Sequence, residues 1–238
     1  MLDILFFGAH PDDVEICCGG TVINLVASGK DVGIIDLTQG ELGTRGNVNT
    51  RQSETKAANK ILRMNFRSNL KITDGNISND KKNQLKIIQQ IRKHKPEVIF
   101  APYSNDRHPD HVNANKLIKE SAFYSGLAKI KSKLNGKTQK PHRPKRIFYY
   151  MQTYTFVPSF ITDITKSFDK KIKAILCYKS QFYNPKSKEP DTFISDKKFL
   201  DSIKAKAAFY GFQIGVKYGE PFFAETPLNI STQNLMSI

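Results

Sequence analysis

Cysteine is scarce in this chain: three among 238 residues, Cys17, Cys18 and Cys177, the first two adjacent. Three thiols cannot build a disulfide framework, which excludes the small cross-linked secreted scaffolds and leads us to expect a reduced, cytoplasmic protein. Long apolar runs are missing as well. No stretch approaches the ~20 apolar residues of a membrane helix, and the first apolar run, Ile4–Ala9, stops at His10. The N-terminus as given lacks the basic region, long apolar segment and small-residue cleavage site of a secretory leader, so neither export nor a membrane partner is expected. Acidic residues are outnumbered, 22 Asp and Glu against 37 Lys and Arg, for a net charge of +15. Repeats and convincing linkers are also absent, so a single domain over residues 1–238 is expected.

The excess positive charge invites a nucleic-acid reading, so its location matters. Much of it sits in the segment 129–146, with Lys131, Lys133, Lys137, Lys140, Arg143 and Lys145. Gly136, Pro141 and Pro144 interrupt that segment, which reads as a solvated loop, an insertion or a frayed helix end. No recognition helix, zinc finger or base-stacking signature accompanies the charge, so no nucleic acid is expected as a partner. An attraction for anionic small substrates is the remaining use of such a surface.

The pattern of apolar residues is that of an α/β protein. Ile4–Gly8, Val32–Leu37, Leu70–Ile72 and Val98–Ala101 are short apolar runs of strand length. Helical spacing separates them: Ile16, Val22, Ile23 and Val26 share one face, Arg51–Leu62 follows, and Leu85, Ile88 and Ile91 share another in Asn83–His94. Alternation of this kind predicts a Rossmann-like, mostly parallel sheet flanked by helices, with right-handed crossovers. Beyond about residue 147 the pattern loosens. There Ile147–Met151, Phe160–Asp163 and Phe222–Ala224 read as strands, and Ser167–Tyr178 and Lys197–Phe209 as helices.

Polar clusters follow the C-terminal ends of these strands: His10–Asp13, Gln39–Arg45, Asp74 and Asp106–His111. Ligands of open parallel sheets bind in the crevice outside those ends, so four loops are expected to converge on one site. Three of the five histidines, His10, His108 and His111, lie in these clusters beside aspartates. Imidazole nitrogen and carboxylate oxygen are the donors of a catalytic zinc-type centre, which uses three protein ligands. His10 and Asp13 stand at a strand-to-helix turn, and His108-Pro109-Asp110-His111 offers a third ligand. A helix-capping aspartate would explain one of Asp12 and Asp13. It would not explain both together with a histidine and a second His-Pro-Asp segment.

The segment Ala9-His10-Pro11-Asp12-Asp13, with Glu15 and Gly19-Gly20, followed by His108-Pro109-Asp110-His111, resembles the LmbE/PIG-L family of metal-dependent de-N-acetylases. The resemblance extends to Thr38-Gln39-Gly40-Glu41, Arg51 with Glu54, Asp74-Gly75 and Tyr218-Gly219-Glu220-Pro221-Phe222. The compact length and the Gly40–Gly46 loop are most similar to the bacillithiol-biosynthesis branch, which removes acetate from N-acetylglucosaminyl malate. The resemblance implies His10, Asp13 and His111 as zinc ligands, with Fe2+ or Co2+ able to fill the same donor set. It implies Asp12 as general base on the attacking water, and His108 as the group that polarises or protonates, oriented by Asp110. Arg51 and Asp74 are implied as sugar contacts, and Arg107 is the further candidate for an anionic group. The partners expected are a small amino-sugar substrate and further copies of the chain in a homo-oligomer. An alternative substrate is another N-acetylglucosaminide, such as a chitin disaccharide.

The remaining candidates have plainer readings. Glu15 and Glu54 suit supporting or helix-terminus roles, and Gly19-Gly20 suit close helix–sheet packing rather than phosphate binding. Cys17 and Cys18 read as small buried residues, His94 and His142 as surface groups, and Tyr183 as a packed aromatic or a site-lining residue.

Overall fold

The computed structural model describes residues 1–232. Its centre is a seven-stranded sheet built from β1 (Ile4–Gly8), β2 (Val32–Asp36), β3 (Phe66–Asn69), β4 (Val98–Pro102), β7 (Arg146–Tyr150), β8 (Phe160–Asp163) and β9 (Gly219–Ala224). Their spatial order is β3-β2-β1-β4-β7-β9-β8. The first five run parallel, and β9 is antiparallel to both β7 and β8. The expected Rossmann-like, mostly parallel fold is therefore the observed one.

Both faces of the sheet are covered, which is why its strands read as continuous apolar runs. Leu5 and Phe7 face one core with Ile87 and Ile91 of α3 (Lys81–His94) and Leu117 and Ile118 of α4 (Pro109–Ser125). Ile4 and Phe6 face the other, with Val14, Cys18 and Val22 of α1 (Asp13–Ala27), Leu62 of α2 (Val48–Leu62) and Ala174 of α5 (Phe168–Ile175). Phe6 stacks on Phe100 at 4.5 Å between ring centres. Each fully buried side chain of this size stabilises the fold by roughly 1.5–3 kcal/mol. Among the described residues no helix is long and apolar enough to cross a membrane.

Gly20 supplies the close approach expected of the glycine pair. A Cβ there would meet Ile164 at 2.6 Å, so only glycine lets α1 seat against the segment before α5. Cys17 and Cys18 are buried, as expected.

The third strand is displaced from the expected Leu70–Ile72 to Phe66–Asn69. Its polar sequence hid it. Arg67 turns into the fold, donating through Nε and Nη2 to Asp36 at 2.7 and 2.8 Å and through Nη1 to Glu15. The Tyr178 hydroxyl donates to the same Glu15 at 2.9 Å, so this carboxylate has the supporting place anticipated for it. Helix α2 starts at Val48 rather than Arg51, because the Asn47 side chain accepts the Thr50 N–H at 3.0 Å and caps it. Helix α6 runs over Lys197–Gln213, past the expected end at Phe209, and β9 begins at Gly219 rather than Phe222.

The basic segment is more ordered than a solvated loop or frayed end. It contains a hairpin of β5 (Lys133–Leu134) and β6 (Lys137–Thr138), turned at Asn135 and Gly136, whose φ values are 50° and 78°. Asn-Gly suits such a turn because both central residues need positive φ. Arg92 holds its base, donating to the carbonyls of Ser125, Leu127 and Ile130. His94 and His142 are half-buried rather than surface groups. His94 packs on the Phe66 ring, and His142 Nε2 lies 2.8 Å from the Pro96 carbonyl.

Candidate active site

Strand order reverses between β1 and β4, and the crevice outside their C-terminal ends is where such folds bind ligands. The loop after β1 carries His10–Asp13, and the loop after β4 carries Asp106–His111. A cavity of about 680 Å³ opens there. The donor atoms of His10, Asp13 and His111 lie within 4.8 Å of one another. A second such group, His10, His108 and Asp110, shares His10. Two neutral-capable imidazoles and a carboxylate, so close together in a buried cleft, form a donor set that fits a divalent ion of the zinc type.

Each of these side chains is held from behind. Asp13 Oδ2 accepts the His10 backbone N–H at 2.9 Å, while Oδ1 accepts Gln152 Nε2 at 3.2 Å and faces His111 Nε2 at 3.3 Å. His111 Nδ1 lies 2.8 Å from Asp106 Oδ1. Asp106 is itself pinned by the backbone N–H groups of His108 and Thr153 at 3.1 and 2.7 Å. His10 Nε2 lies 3.0 Å from Asp74 and 3.3 Å from Asp110. Burial opposes a charge on His111, but Asp13 and Asp106 outweigh it and raise its pKa to about 9. The same competition, with Asp110, Asp13 and Asp74 on the winning side, raises His10. These carboxylates make the centre strongly favourable to positive charge.

Asp12 is the exception in this cluster. Its backbone sits at φ 122°, ψ −25°, a region that non-glycine residues rarely occupy and that costs of order 1–3 kcal/mol. Although it stands at the N-cap of α1, its side chain makes no capping bond. Instead the carboxylate accepts Arg51 Nη1 at 3.1 Å. Burial pushes its pKa up to about 7, against the opposing pull of Arg51. Helix capping therefore does not account for Asp12. A buried carboxylate with one partner, beside the donor cluster, is suited to accept a proton near neutral pH.

The other predicted residues also reach the cavity, though not all with the expected contacts. Arg51 lines it but spends Nη1 on the Pro11 carbonyl, at 2.7 Å, and on Asp12. Gly40 makes room for this, since a Cβ there would sit 3.4 Å from the guanidinium and its φ is +66°. Asp74 accepts the Leu42 N–H at 2.9 Å and faces His10. Arg107 stands over the Phe193 ring, 4.2 Å from its centre, in the cavity wall. His108 is exposed to the cleft, and its Nδ1 accepts the backbone N–H of Asp110 at 3.2 Å. The Asp110 carboxylate does not orient His108 as expected. It accepts Gly75 N–H at 2.8 Å and faces His10, because α4 turns that side chain toward the loop after β3. Glu54 accepts the Ser180 N–H and hydroxyl at 2.7 and 2.8 Å, a supporting role. Tyr183 is exposed and lies outside this cavity.

Sequence reasoning assigned no role to Asp106, Gln152 or Lys206. Asp106 was visible as a carboxylate near a candidate ligand histidine, a pairing that metal centres commonly use. Gln152 follows the C-terminal end of β7, so the strand-end rule applied there too. Lys206 carried no signal, being one lysine among many on a helix.

Fold and site together define an α/β protein with a histidine–carboxylate centre at its topological switch point. The family model for PIG-L, described as GlcNAc-PI de-N-acetylase, matches residues 5–122. The crystal structure of the conserved protein TT1542 from Thermus thermophilus is similar at TM-score 0.87 and 36% identity, covering 98% of each chain. That of N,N'-diacetylchitobiose deacetylase from Pyrococcus horikoshii is similar at TM-score 0.79 and 28% identity, over 92% of this chain and 82% of that one. A diacetylchitobiose deacetylase from Thermococcus kodakarensis is 29% identical over 227 residues, 91% of this chain and 80% of that protein. The chain belongs to the PIG-L family of de-N-acetylases.

Proposed function

We propose that this protein hydrolyses the N-acetyl group of an N-acetylglucosamine conjugate, with zinc held by His10, Asp13 and His111. The observation that carries the reading is the convergence of those donor atoms beside Asp12, whose buried carboxylate does no capping. When bound there, zinc supplies a Lewis acid and lowers the pKa of water toward ~7. Asp12 takes a proton from the attacking water and returns it to the departing nitrogen, so that amide and water become acetate and amine. Arg51 holds Asp12 in place and tempers its basicity. Because His108 Nδ1 accepts a backbone N–H, its neutral ring carries hydrogen on Nε2 and donates to the oxyanion that develops on the amide.

For the substrate, N-acetylglucosaminyl malate is supported by the net charge of +15 and by Arg107 in the cavity wall, a guanidinium able to grip a carboxylate. Diacetylchitobiose is the second reading, favoured by the similarity to deacetylases of that name. A free-amine assay on zinc-loaded protein with the malate conjugate, diacetylchitobiose and N-acetylglucosamine tests both. Faster turnover of the malate conjugate is expected. Preference for the disaccharide would select the second reading, and no amine from any of them would overturn the function.

A further inference from the structure

The cavity does not stop at the histidine–carboxylate centre. It continues along α1, where Asp13 and Cys17 both line it and stand one turn apart, about 6 Å along the axis. Helix α6 lines the same cavity with Ile203, Lys206 and Ala207. Two cations border this arm. Lys171 is answered by Glu220, 2.7 Å away and buried with it. Lys206 is not: its ammonium donates to the Gln152 backbone carbonyl, and it forms no ion pair among the described residues. Burial lowers its pKa, and the charge of Lys171 adds to that effect. Gln152 joins the two regions, since its side chain donates to Asp13 while its carbonyl receives Lys206.

Deacetylation yields two products of opposite charge. The amino-sugar ammonium suits the carboxylates of Asp12, Asp74 and Asp110, whereas acetate, once released from a zinc held at the centre, would meet those same charges and needs another cation to hold it. An ammonium without an ion pair, joined to Asp13 through Gln152 and set beside Cys17, Ile203 and Ala207 where the neighbouring Lys171 and Glu220 answer each other, is what a small carboxylate needs.

We propose that this arm is a binding site for the released acetate, with Lys206 as its counter-ion. The inference rests on the deacetylase reading above. A carboxylate of the substrate's aglycone would have the same chemistry, so the test separates the two sources.

Sodium acetate carrying a labelled carboxyl carbon is titrated into the zinc-loaded full chain and followed by carbon NMR, and its inhibition of turnover is measured in parallel. Malate is titrated in the same way. Lys206→Met is expected to weaken acetate at least about tenfold by both readouts, the worth of one hydrogen bond to a charged group. Lys206→Arg keeps the charge and is expected to stay within about threefold of the parent. Should Lys206→Met fail to fold, Ala207→Met narrows the arm without touching the charge and is expected to weaken acetate as well. Acetate affinity unchanged in the folded variant overturns the proposal, and so does a loss confined to malate. If no N-acetylglucosaminide is hydrolysed, the function falls, while the NMR titration, which needs no turnover, still decides whether the arm binds a carboxylate.

Discussion

Asp106 Oδ1 lies 2.8 Å from His111 Nδ1, and that bond leaves Nε2 of the same ring facing Asp13. The carboxylate thereby fixes both the tautomer and the direction of the ring. Asp106→Ala is expected to weaken metal binding about 10–100-fold, the usual cost of losing such a partner. Titration of the apo protein with Co2+, read by its visible absorption, measures this without turnover. An unchanged Co2+ affinity would show that Asp106 serves only the loop.

Asp12 and Asp13 are neighbours with different surroundings, and matched Asn variants separate them. Asp12→Asn is expected to keep near-normal metal content while losing on the order of 10²–10⁴ in rate, because an amide cannot accept the proton. Asp13→Asn is expected to lose metal, since a neutral amide is a poorer zinc ligand than a carboxylate, and to recover in part with excess metal. A fully active Asp12→Asn enzyme would remove the proposed mechanism.

Arg67 stands between Glu15 and Asp36 in the buried side of β3. Arg67→Met removes one guanidinium and strands two buried carboxylates. A stability loss of about 3–5 kcal/mol is expected, the range for breaking a buried charge cluster on one side. Urea unfolding measures it. A loss below about 1 kcal/mol, typical of an exposed pair, would mean that the cluster is solvated.

His94 gives the fold a sensitivity to acid far from the centre. Burial, with the neighbouring Lys93 charge, lowers its pKa to about 4. The unfolded chain takes up this proton near pH ~6.5. The folded chain resists until about pH 4. This contribution is therefore complete above the unfolded value and is lost progressively as pH falls toward the folded one. Between pH 7 and 5, the parent's urea midpoint is expected to fall further than that of His94→Gln. Parallel midpoints would show that His94 does not titrate in this way.

Much of the fold class was legible locally. Ile4–Gly8 and Val98–Ala101 declare buried strands because both of their faces are covered, and α3 declares itself by Ile88 and Ile91 on one face. The convergence of His10, Asp13 and His111 was legible too, since strand ends in a parallel sheet share one edge and the polar clusters followed those ends. What stayed hidden depends on partners far away in the chain. Phe66–Asn69 could not be recognised as a strand until Arg67 had Glu15 and Asp36 to meet, because a buried charge reads as a surface one without its counter-charges. Asp110 could be placed beside the centre but not assigned to His10 rather than His108, a choice made by the turn of α4. Arg51 was legible as a site residue, yet only the path of α2 past the strained backbone of Asp12 gave it that carboxylate. Lys206 shows the limit most plainly. Periodicity reports which face of a helix is apolar, whereas an unanswered ammonium in a cavity wall is a property of what α6 packs against, and only the folded chain decides that.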